Sequence, residues 1–180
     1  MDLSLLDRRI SELLFPYQTT IGKDFTAYQH HVKRVAYLTC HLKQQVSEIE
    51  QEKIAITAVF HDLGLWTVPT FDYLSPSIAL VNEYLQQQAL DTWQEEINSM
   101  IDFHHKLTPY KGKFNQLVEP FRKADLIDLS FGVKRFGIST SYLKVLREQF
   151  PLEGFQVIIA KRFLKHWLSH PLRPLPMVKR

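Results

Sequence analysis

The histidines of this chain are the side chains best suited to chemistry, because a neutral imidazole can ligate a metal ion or act as a base near neutral pH. The sequence contains eight of them, and His61 is followed directly by Asp62 at the end of the apolar run AITAVF. Burying two such polar groups without partners costs on the order of several kcal/mol. Either a metal ion or a hydrogen-bond network must therefore satisfy this pair.

Helical spacing places several of these polar groups on rows that face the core. His30 and His41 lie on the same flank of their helix as Arg34, and this flank is predicted to face outward. His105 lies to the side of the inward row that ends at His104. A single inward histidine is more often a hydrogen-bonded core residue than a ligand. Groups from four separate helices together favour a metal site inside a helical bundle, with imidazole and carboxylate ligands. The inward groups are His31, His61, Asp62, His104 and Asp125.

The elements that must position these groups are helices, because helical periodicity recurs along the chain and strand-like alternation lasts only a few residues. Asp24 is a plausible N-cap of the second helix, and the fourth helix is expected to have Ser75 as N-cap and Pro76 at its first position. The sequence therefore predicts an all-α bundle. The other predicted helices cover residues 3–15, 25–45, 51–63, 91–106, 119–130, 139–149 and 155–169.

Length and composition indicate one soluble domain over residues 1–180. Hydrophobic residues make up 45% of the chain and charged residues 23%, as in ordinary globular proteins. The single cysteine, Cys40, excludes an internal disulfide framework, and neither a secretory signal nor a membrane span is evident, so we expect a cytoplasmic protein. We place the metal-site core at 25–130, C-terminal helices at 139–169 and a proline-rich tail at 171–180.

Three short segments carry a family resemblance: HVKRVA at 31–36, FHDLG at 60–64 and KADLID at 123–128. Their order and spacing resemble the signature of the HD-domain superfamily of metal-dependent phosphohydrolases, which is a histidine, then His-Asp, then a distant aspartate, all in an α-helical bundle. The loop after His-Asp and the ending HPLRPLPM also resemble a bacterial subgroup of that superfamily.

The resemblance implies that His31, His61, Asp62 and Asp125 bind a divalent ion. The segment FHHK at 103–106 is similar to a histidine pair that holds a second ion in some subfamilies, but those usually carry another histidine between the two points, and residues 63–103 contain none. We therefore predict one ion per chain. Mn, Fe, Co, Ni and Zn suit this mixed ligand set, whereas Mg²⁺ prefers oxygen ligands.

Further residues are candidates for substrate binding and catalysis, each with a structural alternative. Arginine and lysine side chains near the ion would bind phosphate, although each can equally be a surface cation or part of a helical ion pair. Asp72 can orient water or protonate a leaving group, or it can simply form a turn. We assign catalysis to Asp62, Asp72 and His104, a supporting hydrogen bond to a ligand histidine to Asp128, and substrate binding to Arg34, Trp66, His104, His105, Lys106 and Arg122.

The leading hypothesis is a metal-dependent hydrolase of a small, nucleotide-like phosphate ester, in which the ion lowers the pKa of a water. The same ligand set supports a lyase, a hydratase or an oxygenase acting on a non-phosphate substrate. A sensor or binding module that keeps the ion without turnover is a third hypothesis. We expect a small-molecule partner and no membrane partner, and a homodimer stays open. Nucleic-acid binding is the last choice, because a formal charge of +3 without a recognised aromatic-basic motif is weak support.

Overall fold

The computed structural model describes residues 4–68 and 72–169, so the predicted tail at 171–180 lies outside the described residues. Every regular element within those ranges is helical, which confirms the predicted all-α fold. None of the described helices is both long and apolar enough to cross a membrane. The α-helices are α1 (Ser4–Leu14), α2 (Gln18–Ile21), α3 (Phe25–Lys43), α4 (Glu48–Phe60), α5 (Gly64–Thr67), α6 (Leu74–Gln87), α7 (Gln94–Phe103), α8 (Asn115–Leu129), α9 (Thr140–Gln149) and α10 (Phe155–Ser169).

Helix α3 is the central element of the bundle. It packs most extensively against α8 and also contacts α1 and α4, while α7 closes the other side of α8. Since α3 is covered on most of its circumference, even its charged Arg34 is only 1% exposed, and the expectation that this residue lies on an outward flank is wrong. The helices α3, α4 and α8 are therefore the ones that bring the predicted ligands together.

Helix α4 begins three residues earlier than the predicted start at 51. Ser47 is its N-cap: the Ser47 side chain accepts a hydrogen bond from the Glu50 N–H, and the Glu50 carboxylate accepts one from the Ser47 N–H. This reciprocal pair satisfies two amides that would otherwise lack partners at the start of the helix. The helix ends at Phe60, so His61 is its C-cap and Asp62 lies in the turn that follows.

Two predicted caps have other roles in the structure. Asp24 makes no capping hydrogen bond to α3, and its carboxylate accepts one from the indole of Trp66 instead. Helix α6 begins at Leu74, with Tyr73 at its N-cap position, so Ser75 and Pro76 lie inside its first turn. Helix α3 still begins at Phe25, as predicted, and packing against Trp66 decides how the Asp24 carboxylate is used.

Helix α7 is shorter than the predicted helix over 91–106. Residues 91–93 form a 3-10 turn, the α-helix ends at Phe103, and His104 and His105 lie in the turn after it. A turn does not keep the 100° rotation per residue of a helix. The helical spacing that places His105 to the side of His104 therefore does not apply to these two residues. Helix α8 begins at 115 and not at 119, with Pro120 inside it.

Candidate metal centre

The structure brings together the four side chains of the predicted ligand set. The Nε2 atom of His31 lies 3.2 Å from Nε2 of His61, 3.6 Å from Oδ1 of Asp125 and 3.8 Å from Oδ2 of Asp62. Nε2 of His61 lies 3.4 Å from Oδ2 of Asp62. All four residues are at most 1% exposed, so the cluster is shielded from bulk water. His30 lies outside it and donates from Nδ1 to the carbonyl of Pro151.

Hydrogen bonds to Nδ1 determine which ring nitrogen of each histidine faces the cluster. Nδ1 of His61 lies 2.7 Å from the carbonyl oxygen of Ala58, and Nδ1 of His104 lies 2.6 Å from that of Ile101. A carbonyl oxygen only accepts, so both Nδ1 atoms carry the hydrogen, and in neutral rings the lone pair is on Nε2. Nδ1 of His31 likewise donates to the carboxylate of Asp128, 2.8 Å away.

The cluster therefore consists of acceptors that face one another. The two Nε2 lone pairs of His31 and His61 cannot bond to each other. Within the described part of the chain, the buried atoms Oδ1 of Asp62, Oδ1 of Asp125 and Nε2 of His104 have no hydrogen-bond partner. Buried polar atoms are normally hydrogen-bonded. A cation among them would satisfy all at once, and the donor set of imidazole nitrogens and carboxylate oxygens suits a divalent transition metal. The residues present thus fit a metal ion.

Among residues 4–68 and 72–169, three overlapping groups have ligand atoms close enough to share an ion. They are His31 with His61 and Asp125, His61 with Asp62 and His104, and His104 with His105 and Asp125. His104 belongs to the second and third groups and not to the first. The geometry accordingly offers one position at the predicted signature residues and a neighbouring position at the two consecutive histidines.

Asp128 supports His31 through a buried ion pair that crosses the bundle. Its carboxylate accepts from Nδ1 of His31 and from two nitrogens of Arg34, at 2.6 and 2.9 Å. Burial alone would raise the pKa of Asp128, but these hydrogen bonds lower it to about 2. Phe155 stacks on the His31 ring at 3.9 Å between centroids, and burial lowers the pKa of His31 to about 4. This surrounding holds His31 neutral, as a ligand must be.

The two carboxylates of the cluster differ in their electrostatic surroundings. Burial, together with the negative charge of Asp62, raises the pKa of Asp125 well above its ordinary value. Burial acts in the same direction on Asp62, but His61 and His104 in their protonated, cationic form overcome it and lower the pKa of Asp62 well below its ordinary value. Without a cation, two buried carboxylates this close do not both ionise readily, whereas a bound cation would stabilise both charges.

His105 also lies at the cluster, although helical spacing predicts that it lies to the side of the inward row. Its Nδ1 lies 3.5 Å from Oδ2 of Asp125, and its Nε2 forms a short hydrogen bond with the hydroxyl of Tyr73. Burial lowers the pKa of His105 well below its ordinary value, so the ring is neutral. Tyr73 is 3% exposed and is not among the residues that the sequence predicts for the site. Its position directly after Asp72 in the His-Asp loop was the available signal.

The two arginines proposed to bind phosphate are engaged by the protein itself. Besides Asp128, Arg34 donates to the carbonyls of Phe150 and Pro151. Arg122 donates twice to the carboxylate of Glu119 and once to the carbonyl of Lys106. Both guanidinium groups therefore hold buried structure together, and phosphate binding by either arginine stays a prediction.

The remaining candidates are less buried than the cluster. Asp72 is exposed, and its catalytic role stays a prediction. Trp66 is half-buried, stacks near Tyr28 at 4.6 Å between ring centroids, and donates its indole N–H to Asp24. The side chain of Lys106 is half-buried at the turn after the histidine pair.

A comparison with protein-family models matches residues 28–163 of this chain to the HD domain. The matched segment contains all four residues of the predicted ligand set. The comparisons with curated proteins and with solved structures gave no significant match.

Proposed function

The chain belongs to the HD-domain family, and from this premise we propose that it is a metal-dependent hydrolase of a small phosphate ester, nucleotide-like in character. The observation that carries the proposal is the buried set of mutually facing acceptor atoms on His31, His61, Asp62, His104 and Asp125. Such a set suits a divalent cation, and hydrolysis of phosphate esters uses such ions.

The residues of the chain would divide the work as follows. His31, His61, Asp62 and Asp125 would hold one divalent ion of the Mn, Fe, Co, Ni or Zn group. When bound, the ion supplies a concentrated positive charge and acidifies nearby water. Nε2 of His104 carries a lone pair and lies 3.4 Å from Oδ1 of Asp62, so it is placed to accept a proton from water or to contact substrate. His105 is the more exposed neighbour, and we assign it to substrate binding.

One observation favours a second candidate, a lyase, hydratase or oxygenase that acts on an uncharged substrate. When Asp62, Asp125 and Asp128 are ionised, their charge together with that of Arg34 is −2, and one divalent ion cancels it. Both nearby arginines are already paired with carboxylates, so a phosphate dianion would have to bind beside a neutral cluster. Phosphate binding would then need either a second ion or a lysine such as Lys106.

The experiment combines metal analysis with a substrate panel. Protein purified without chelator is analysed for bound metal and is then assayed with phosphate mono- and diesters, including nucleotides, in the presence of Mn²⁺, Fe²⁺, Co²⁺, Ni²⁺ or Zn²⁺. A parallel panel contains nitriles and diols. Metal-dependent phosphate release that is lost in Asp125→Asn supports the proposal. Turnover only of the uncharged panel would favour the second candidate, and metal-free protein that cannot be loaded would exclude both.

A further inference from the structure

Tyr73 is a buried residue at the cluster that lies outside the predicted ligand and substrate set. Its hydroxyl is joined by a short hydrogen bond to Nε2 of His105, whose Nδ1 lies 3.5 Å from Oδ2 of Asp125, and it also interacts with Asp62. The phenol thus stands beside both carboxylates of the cluster. The hydroxyl is hydrogen-bonded to the imidazole of His105, and this imidazole lies next to the carboxylate of Asp125.

The protonation of Asp125 decides which nitrogen of His105 carries the hydrogen. An ionised Asp125 only accepts, so Nδ1 of His105 then carries the hydrogen and Nε2 accepts from the Tyr73 hydroxyl. A protonated Asp125 donates toward Nδ1, and the Nε2 hydrogen is then donated to the Tyr73 hydroxyl. In either state the ring is held in one tautomer. Removing the hydroxyl leaves Nε2 of His105 without this partner.

The backbone of Tyr73 is held in place by the glycine of the His-Asp-Leu-Gly segment. A Cβ atom added to Gly64 would lie 2.4 Å from the carbonyl oxygen of Tyr73 and 2.9 Å from Oγ of Ser77. The Gly64 N–H donates to Oγ of Ser77, and the Ser77 N–H donates to the Tyr73 carbonyl. Only a residue without a side chain allows the start of α6 to approach so closely to the turn that carries Asp62.

His105 is also the side chain that a substrate would reach first. Its side chain is 15% exposed, compared with 0–2% for His31, His61, Asp62, His104 and Asp125. The orientation of its ring therefore affects how a ligand approaches the buried cluster.

We propose that Tyr73 is a positioning residue of this site: its hydroxyl fixes the ring of His105 in one orientation and one tautomer against Asp125, and Gly64 provides the space that seats it. The consequence for turnover rests on the proposed function, whereas the orientation of His105 does not.

The test uses ¹⁵N spectroscopy of the histidine rings in full-length, chelator-treated protein. The wild type should give two well-separated ring-nitrogen signals for His105, one protonated and one bare, as expected for a single neutral tautomer. Tyr73→Phe keeps the aromatic ring but removes the hydroxyl, so the two signals should move toward each other. Gly64→Ala should produce the same change by displacing the Tyr73 backbone.

The matched control is Tyr84→Phe in α6. It removes a tyrosine hydroxyl that accepts a hydrogen bond from Arg9 and makes none with His105. It should leave the His105 signals unchanged. Unchanged His105 signals in folded Tyr73→Phe would overturn the proposal, whatever the enzyme assays show. If a substrate is found, Tyr73→Phe should lower kcat on the order of tenfold, with a smaller effect on KM, because ground-state binding is largely retained.

Discussion

Nε2 of His31 and Nε2 of His61 face each other at 3.2 Å, although both rings donate their Nδ1 hydrogen to another group. Two lone pairs at this distance repel each other unless a cation or a proton lies between them. The helices α3 and α4 could bury the two rings apart from each other, yet they hold them in contact. This relationship is the strongest structural argument that the cluster is built for a metal ion.

Replacing Asp62 by asparagine should remove the metal, because it takes one of two anionic oxygen donors from the cluster. Loss of a hydrogen-bonding partner of a ligand typically lowers metal affinity by about 10–100-fold, and loss of a ligand should cost at least as much. Bound metal per chain in the purified variant is the measurement. Asp91→Asn is the matched control: this exposed aspartate should keep both metal and turnover. Full metal content in Asp62→Asn would contradict the role of Asp62 as a metal ligand and would indicate that His61 and Asp62 are only a buried hydrogen-bonded pair.

Replacing His104 by alanine distinguishes one ion from two. If a single ion is held by the signature residues, His104→Ala keeps the metal stoichiometry and lowers turnover by about 10²-fold or more, as for loss of a general base. His105→Ala should also lower turnover, because the structure places its ring beside Asp125. His30→Ala, outside the cluster, is the control. A fall from two bound ions to one in His104→Ala would require a binuclear site.

Replacing Arg34 by methionine should destabilise the protein strongly, because it leaves Asp128 charged and buried without its ion pair. Breaking such a pair costs about 3–5 kcal/mol, which urea denaturation would measure. Exposed Arg8→Met should change the free energy of unfolding by less than about 0.5 kcal/mol. The double variant Arg34→Met/Asp128→Asn should lose less than the sum of the two single variants, and strict additivity would contradict the coupling.

Glu119 should make the stability of the fold depend on acid pH. Partial burial acts in the opposite direction, but hydrogen bonds from the Arg122 guanidinium and the Tyr110 N–H hold the pKa of Glu119 below its ordinary value of 4.5. The unfolded chain therefore takes up this proton at a higher pH than the folded one. Stability from this group is fully present above about pH 4.5 and is lost as pH falls through the lowered pKa.

The variant Glu119→Gln isolates this contribution. It should unfold with about 1–3 kcal/mol less free energy than the wild type at pH 7, because charged hydrogen bonds are lost. The difference between the two proteins should shrink as pH falls below about 4.5. Glu148→Gln is the control, since Glu148 is largely exposed and its pair with Lys144 is 3.9 Å long. A pH-independent difference for Glu119→Gln would contradict the lowered pKa.

The sequence by itself determined the class of the fold and the residues that cluster in it. A period of 3.6 residues is a local property, so the helices and their inward rows can be found without knowing what packs against them. His31, His61 and Asp125 lie on such rows, and the segments HVKRVA, FHDLG and KADLID pointed to the family that the match over 28–163 shows.

Only the tertiary structure decided how the supporting side chains are used. Arg34 pairs with Asp128 94 residues away, and Tyr73 meets His105 32 residues away, across helices whose relative orientation no local pattern specifies. The end of α7 at Phe103 placed both His104 and His105 at the cluster. Helix ends, ion-pair choices and ring tautomers depend on which groups become neighbours after packing. For that reason the inward rows were predictable, whereas the surroundings of the cluster were not.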